Sequence, residues 1–87
     1  MRLLLQKVGA FRDIKRETLS QIIRVSETLG RFESKELKRF FINNNFSGCM
    51  RILEMLELKN PSLMKNLRML ERLYNEIRFI IDEGLLI

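Results

Sequence analysis

The chain has no histidine and a single cysteine, Cys49, and these two shortages remove most catalytic options at once. Without imidazole there is no histidine-based zinc site, no Ser-His-Asp triad and no Cys-His dyad, and one thiol forms no disulfide within the chain. No glycine-rich phosphate loop and no spaced set of metal ligands occurs. The acidic pairs Glu33/Glu36 and Asp82/Glu83 fall at expected helix ends, where capping and the helix dipole account for them. The chain is therefore not expected to be an enzyme, to need a cofactor or metal, or to act on a small-molecule substrate. Long apolar runs are missing too. No stretch approaches the ~18 residues of a membrane span, and the opening Met1-Arg-Leu-Leu-Leu5 stops at Gln6-Lys7, short of the roughly 7–15 residues of a signal-peptide core. A cytoplasmic protein with no membrane partner is expected. Repeats, low-complexity tracts and Pro/Gly/Ser linkers are also lacking, which leaves one compact domain overall.

The 87 residues are 46% hydrophobic and 31% charged, the balance of a folded protein rather than a disordered tail. A chain of this size buries only about two-thirds of its unfolded surface, so its core is small and a second copy would help it. The net charge of +5 is unevenly spread. Residues 1–51 carry eleven Lys/Arg against five Asp/Glu, a net +6, while residues 52–87 carry five against six, a net −1. That asymmetry suits a basic face for a polyanion joined to a segment with another task.

The pattern is helical throughout, so the expected fold class is all-α. Leu4, Val8, Phe11 and Ile14 have helical spacing interrupted by Gly9, although a short strand over 2–8 fits as well. Thr18-Leu-Ser-Gln21 has the form of a capping box at which a helix starts or resets. Leu19, Ile22, Ile23, Ser26 and Leu29 make its stripe, and Gly30 sits where a left-handed cap is wanted. Arg31-Phe32-Glu33 reads as a short extended connector. Ser34 caps a helix over 35–42 with Leu37, Phe40 and Phe41 on one face. Asn43, Asn44 and Asn45 break that helix, since asparagine bonds its own local backbone and tolerates positive φ. With Ser47 as N-cap, Cys49, Ile52, Leu53 and Leu56 form the buried stripe of the next helix, while Ser47, Arg51 and Glu54 point the other way. Asn60-Pro61 is the clearest boundary, a favoured cap followed by proline at the first helical position.

From Leu19 to Leu56 this pattern resembles the core of the helix-turn-helix and winged-helix families, in which a second and a third helix cross steeply and the third enters the DNA major groove. The resemblance implies packing roles for Leu37 and Phe41 on the second helix and for Cys49, Ile52, Leu53 and Leu56 on the third. It implies base contacts from Ser47, Gly48 and Arg51. Lys35, Lys38, Arg39, Asn44 and Asn45, with Arg12, Lys15 and Arg16, become the expected phosphate contacts. The chain departs from the pattern in two places: its turn lacks glycine, and Pro61 opens a helix where a wing would begin. The expectation is thus a wingless three-helix helix-turn-helix core, residues 1–59, with a long C-terminal helix, residues 60–87.

In that helix Leu63, Leu67, Leu70, Tyr74, Ile77 and Ile81 recur at spacings of 4, 3, 4, 3, 4, a heptad seam that Gly84 ends before the apolar Leu85-Leu86-Ile87. The seam reads as a homodimer interface that sets two DNA-reading heads at a fixed separation, or else as a lid on the chain's own core. The sequence is thus read as a dimeric DNA-binding transcriptional regulator with double-stranded DNA as partner. The alternative is a helical protein-protein interaction module: an adaptor, subunit or inhibitor without specific DNA binding. Cys49, on a core stripe, behaves as a small hydrophobe rather than a nucleophile.

Overall fold

Asparagine sets both sharp entries into helices in this chain. The computed structural model describes residues 2–84 as four α-helices: α1 Arg2–Ser26, α2 Arg31–Ile42, α3 Phe46–Met55 and α4 Pro61–Asp82. Asn60 accepts the backbone N–H groups of Ser62 and Leu63 at 2.9 and 3.2 Å, and Pro61 begins α4 as expected. The three asparagines form a Schellman turn. Asn44 takes the left-handed conformation (φ 61°), its N–H reaches the Phe41 carbonyl at 3.1 Å, and the Asn45 N–H reaches that of Phe40 at 2.8 Å. Asn45 also serves the next helix, where its side-chain oxygen accepts the Gly48 N–H at 3.0 Å. Asn45, not Ser47, is therefore the N-cap, and α3 begins at Phe46.

Three other boundaries differ from the sequence reading. α1 runs unbroken through Thr18, whose buried hydroxyl donates to the Ile14 carbonyl at 2.6 Å inside the helix instead of capping a new one. Gly9 lies within that helix and there is no strand over 2–8. Gly30, at φ −65° and ψ 164°, is extended, not left-handed, and it is the N-cap of α2. Arg31-Phe32-Glu33 is accordingly the first helical turn, with the Ser34 N–H donating to the Gly30 carbonyl at 2.9 Å. At the far end Gly84 does adopt positive φ (67°) after α4, and its N–H reaches the Ile81 carbonyl at 3.2 Å. The apolar Leu85-Leu86-Ile87 lies outside the described residues.

α1 and α4 run antiparallel, side by side. Lys7 Nζ meets Glu76 Oε2 at 2.9 Å near one end, while Gln21 bonds Ser62 and Asn66 at 3.2 and 2.9 Å near the other, which fixes their register. α2 packs on α1 and on α3, and α3 packs on α4. The enclosed core is Ile22, Leu37, Phe41, Phe46, Cys49, Leu53, Leu63, Met64, Leu67 and Leu70. Phe46, which the sequence left in the turn, stands at its centre, with ring centroids 5.9–6.3 Å from Phe41, Phe11 and Tyr74 in edge-to-face contacts. Leu19 and Ile23, expected on the buried stripe of α1, lie on an exposed flank, because Thr18, Ile22 and Ser26 supply the inward face.

The heptad seam divides in two. Leu63, Leu67 and Leu70 are fully buried within one chain and form its own core, so they face no second copy. Tyr74 and Ile77 are half-buried, and Ile81 is exposed.

Candidate nucleic-acid interface

Helical periodicity gathers cations on α2. Arg31, Lys35, Lys38 and Ile42 follow one another at spacings of 4, 3 and 4, which places them along one exposed face, with Arg39 beside Lys38. They border an open depression of about 870 Å³ whose remaining lining is Leu29, Ser34 and Asn43. A second depression of about 440 Å³ lies between α1 and α2, lined by Phe11, Arg12, Lys15, Arg16, Leu19, Phe41 and Ile42. Ile42 belongs to both, so the two adjoin. Together their linings hold seven lysines and arginines and no carboxylate. All six of the Lys and Arg side chains expected to touch phosphate thus fall on this one face.

The six are not equally available. Among the described residues Arg12, Arg16, Lys35 and Lys38 make no ion pair, whereas Arg39 is bound through Nη2 to both oxygens of Glu36 at 2.7 and 2.8 Å. Lys15 is drawn inward. Its ammonium lies 5.4–5.9 Å from the ring centroids of Phe41, Phe11 and Phe46 and donates to Asn44 Oδ1. Burial holds its pKa below the ordinary lysine value. The neighbouring Cys49 thiol is pushed up to about 12 by burial, so at neutral pH it is uncharged and brings no anion to Lys15.

Asn44 and Asn45 were expected at phosphates, but their side-chain oxygens are committed to Lys15 and to the Ser47 hydroxyl and Gly48 N–H. What they retain for a phosphate is amide N–H. Gly48 is buried, with Phe40 and Asn45 so close that an added Cβ would meet both at 3.0 Å or less, so it cannot present itself to a base. Ser47 and Arg51 are exposed, and Arg51 makes no ion pair with Glu54 among the described residues. Neither lines the two depressions. α4 leaves the outer side of α3 open, where Ser47, Arg51, Glu54 and Met55 are all exposed, but Arg51 is the helix's only cation.

Arg31 was missed by sequence reasoning because it was placed in a connector. Its spacing of four from Lys35 was the available signal, and it became readable only with Gly30 taken as an N-cap. The chain matches no protein-family model, no curated protein and no solved structure, so a function rests on this geometry.

Proposed function

We propose that the protein is a small DNA-binding protein, acting in transcriptional regulation as a homodimer, that grips the phosphate backbone with the α1–α2 face. The observation that carries this reading is the pair of adjoining depressions lined by seven cations and no carboxylate. Lysine and arginine so placed release condensed counterions from a polyanion, a sequence-independent contribution that dominates affinity at moderate salt. The α2–turn–α3 unit supports a helix-turn-helix role, in which the left-handed Asn44 does the work of the missing glycine and the exposed Ser47 and Arg51 meet base edges.

The test is fluorescence anisotropy with a labelled mixed-sequence duplex, comparing wild type with Arg31→Ala/Lys35→Ala/Lys38→Ala. These three side chains are exposed and make no ion pair among the described residues, so their loss leaves the core intact. Binding that falls at least ~10-fold in the triple variant supports the reading, and wild-type binding absent even at low salt overturns it. A helical interaction module is favoured by one observation, the exposure of Phe32 (73%) and Met55 (75%) on the outer sides of α2 and α3. It predicts that Phe32→Ala and Met55→Ala change partner binding while the charge variant does not.

A further inference from the structure

The apolar stripe of the two long helices outlasts its cover. α1 and α4 have 25 and 22 residues, about 37 and 33 Å at ~1.5 Å per residue, whereas α2 and α3 have 12 and 10, about 18 and 15 Å. The short helices shelter α1 from Phe11 onward and α4 up to Tyr74. Past that point residues 2–10 and 75–84 continue as a two-helix arm, pinned by Lys7–Glu76 and by the inward Ile80. The arm lengthens the molecule to 46 Å and raises its radius of gyration to 14.0 Å, against about 12 Å for a compact chain of this length.

Along one stripe of α4 the exposure rises from nothing at Leu63, Leu67 and Leu70, through half-buried Tyr74 and Ile77, to 49% at Ile81. On the facing side of α1, buried Ile22 gives way to half-buried Phe11 and Leu4 and to exposed Val8. At 100° per residue Leu4 and Val8 stay within about 60° of the Ile22 direction, so the arm presents a core face with no third layer on it among the described residues.

We propose that this inner face of the arm, centred on Leu4, Val8, Ile77 and Ile81, is covered by the same face of a second copy, the two arms completing a four-helix layer about a two-fold axis. Charge selects the occupant. Residues 2–10 and 75–84 hold three Lys/Arg (Arg2, Lys7, Arg78) and three Asp/Glu (Glu76, Asp82, Glu83), a net of zero, while residues 11–74 carry thirteen against eight, the whole +5. A strongly acidic or basic partner finds no complementary field on the arm, whereas an identical arm meets it without repulsion and keeps the two basic bodies at opposite ends. The pairing is isologous, as a closed dimer requires. The inference deepens the dimeric part of the reading above by naming its surface and does not depend on DNA.

The test is sedimentation equilibrium of the full chain without nucleic acid, from about 1 μM to about 1 mM, a range suited to an interface at the small end of the size scale. The wild-type mass is expected to rise from 10.4 kDa towards twice that value. Val8→Asp and Ile81→Asp, both at exposed positions and each checked for unchanged helicity, are expected to stay at 10.4 kDa, while Phe32→Asp, on the outer side of α2, associates like wild type. A wild-type mass fixed at 10.4 kDa up to the highest concentration overturns the inference. So does association that survives both arm variants. Loss of DNA binding with association intact overturns only the nucleic-acid reading.

Discussion

Lys15 Nζ lies 5.4 Å from the centroid of the Phe41 ring and donates to the side chain of Asn44, the left-handed residue three positions further along the chain. One cation on α1 thereby holds the turn that joins α2 to α3. Replacing Asn44 by glycine removes the bond but relieves the positive φ, so near-neutral stability is expected. Asn44→Ala loses both the bond and the residue type that tolerates this conformation, and a cost of about 1–2 kcal/mol is expected. In a Lys15→Met background the Asn44→Ala cost shrinks by about 1 kcal/mol, and a double-mutant cycle in urea measures that coupling. Additive effects would show that the two side chains do not act together.

A second positive φ, 56° at Glu57, ends α3. The Leu58 N–H bonds the Leu53 carbonyl at 2.8 Å and the Glu57 N–H bonds that of Glu54 at 3.1 Å, a Schellman motif with glutamate where glycine is favoured. Glu57→Gly is expected to stabilise the protein by about 0.5–1 kcal/mol, read as a higher urea midpoint.

Ser26 closes α1 with its hydroxyl buried and, among the described residues, without a hydrogen-bond partner. Ser26→Ala removes an unpaired polar group from the core and is expected to raise stability by about 1 kcal/mol. A loss of stability would mean that the hydroxyl is bonded after all.

Alkaline pH separates the buried Cys49 from the half-buried Lys15. The Cys49 thiol rises from an ordinary 9.0 to about 12 through burial, so above pH 9 the unfolded chain sheds a proton that the folded chain keeps, and stability falls by at most about 1.4 kcal/mol per pH unit until about 12. Lys15 works the other way. Its folded value is lowered, so stability rises with pH between that value and the ordinary 10.5, softening the decline. Urea midpoints measured at pH 8 and at about pH 10.5 are expected to converge between wild type and Cys49→Ala. Parallel curves would contradict the burial of the thiol.

Much of this arrangement was legible in the residues. Asn60-Pro61 marked the start of α4 because cap and proline agree, and the three asparagines marked a turn because few other residues accept its conformation. That the six lysines and arginines named as phosphate candidates share a face was not readable, because Arg12, Lys15 and Arg16 lie on α1 and Lys35, Lys38 and Arg39 on α2, and only the packing of the two helices brings them together. Gly30 was not readable. A glycine between two helices serves as a left-handed C-cap or an extended N-cap equally well, and choosing wrongly hid Arg31. Thr18 misled for a similar reason, since a threonine hydroxyl bonds a carbonyl inside a helix as readily as it caps one. Phe46 was lost to the loop because apolar periodicity needs neighbours, and its partners Phe11, Phe41 and Tyr74 lie on three other helices. The heptad seam was visible, but a seam looks the same whether its partner is the chain's own α1 and α3 or a second copy.

The salt dependence of duplex binding tests the central claim most directly. With Arg12, Arg16, Arg31, Lys35 and Lys38 free to meet phosphates, log K against log salt is expected to fall with a slope of about −4 to −5, at roughly −0.9 per contact, and to become shallower by about 2 to 3 units in the Arg31/Lys35/Lys38 triple alanine variant. A slope near zero, or one unchanged by that variant, would contradict the assignment of the α1–α2 face to the phosphate backbone.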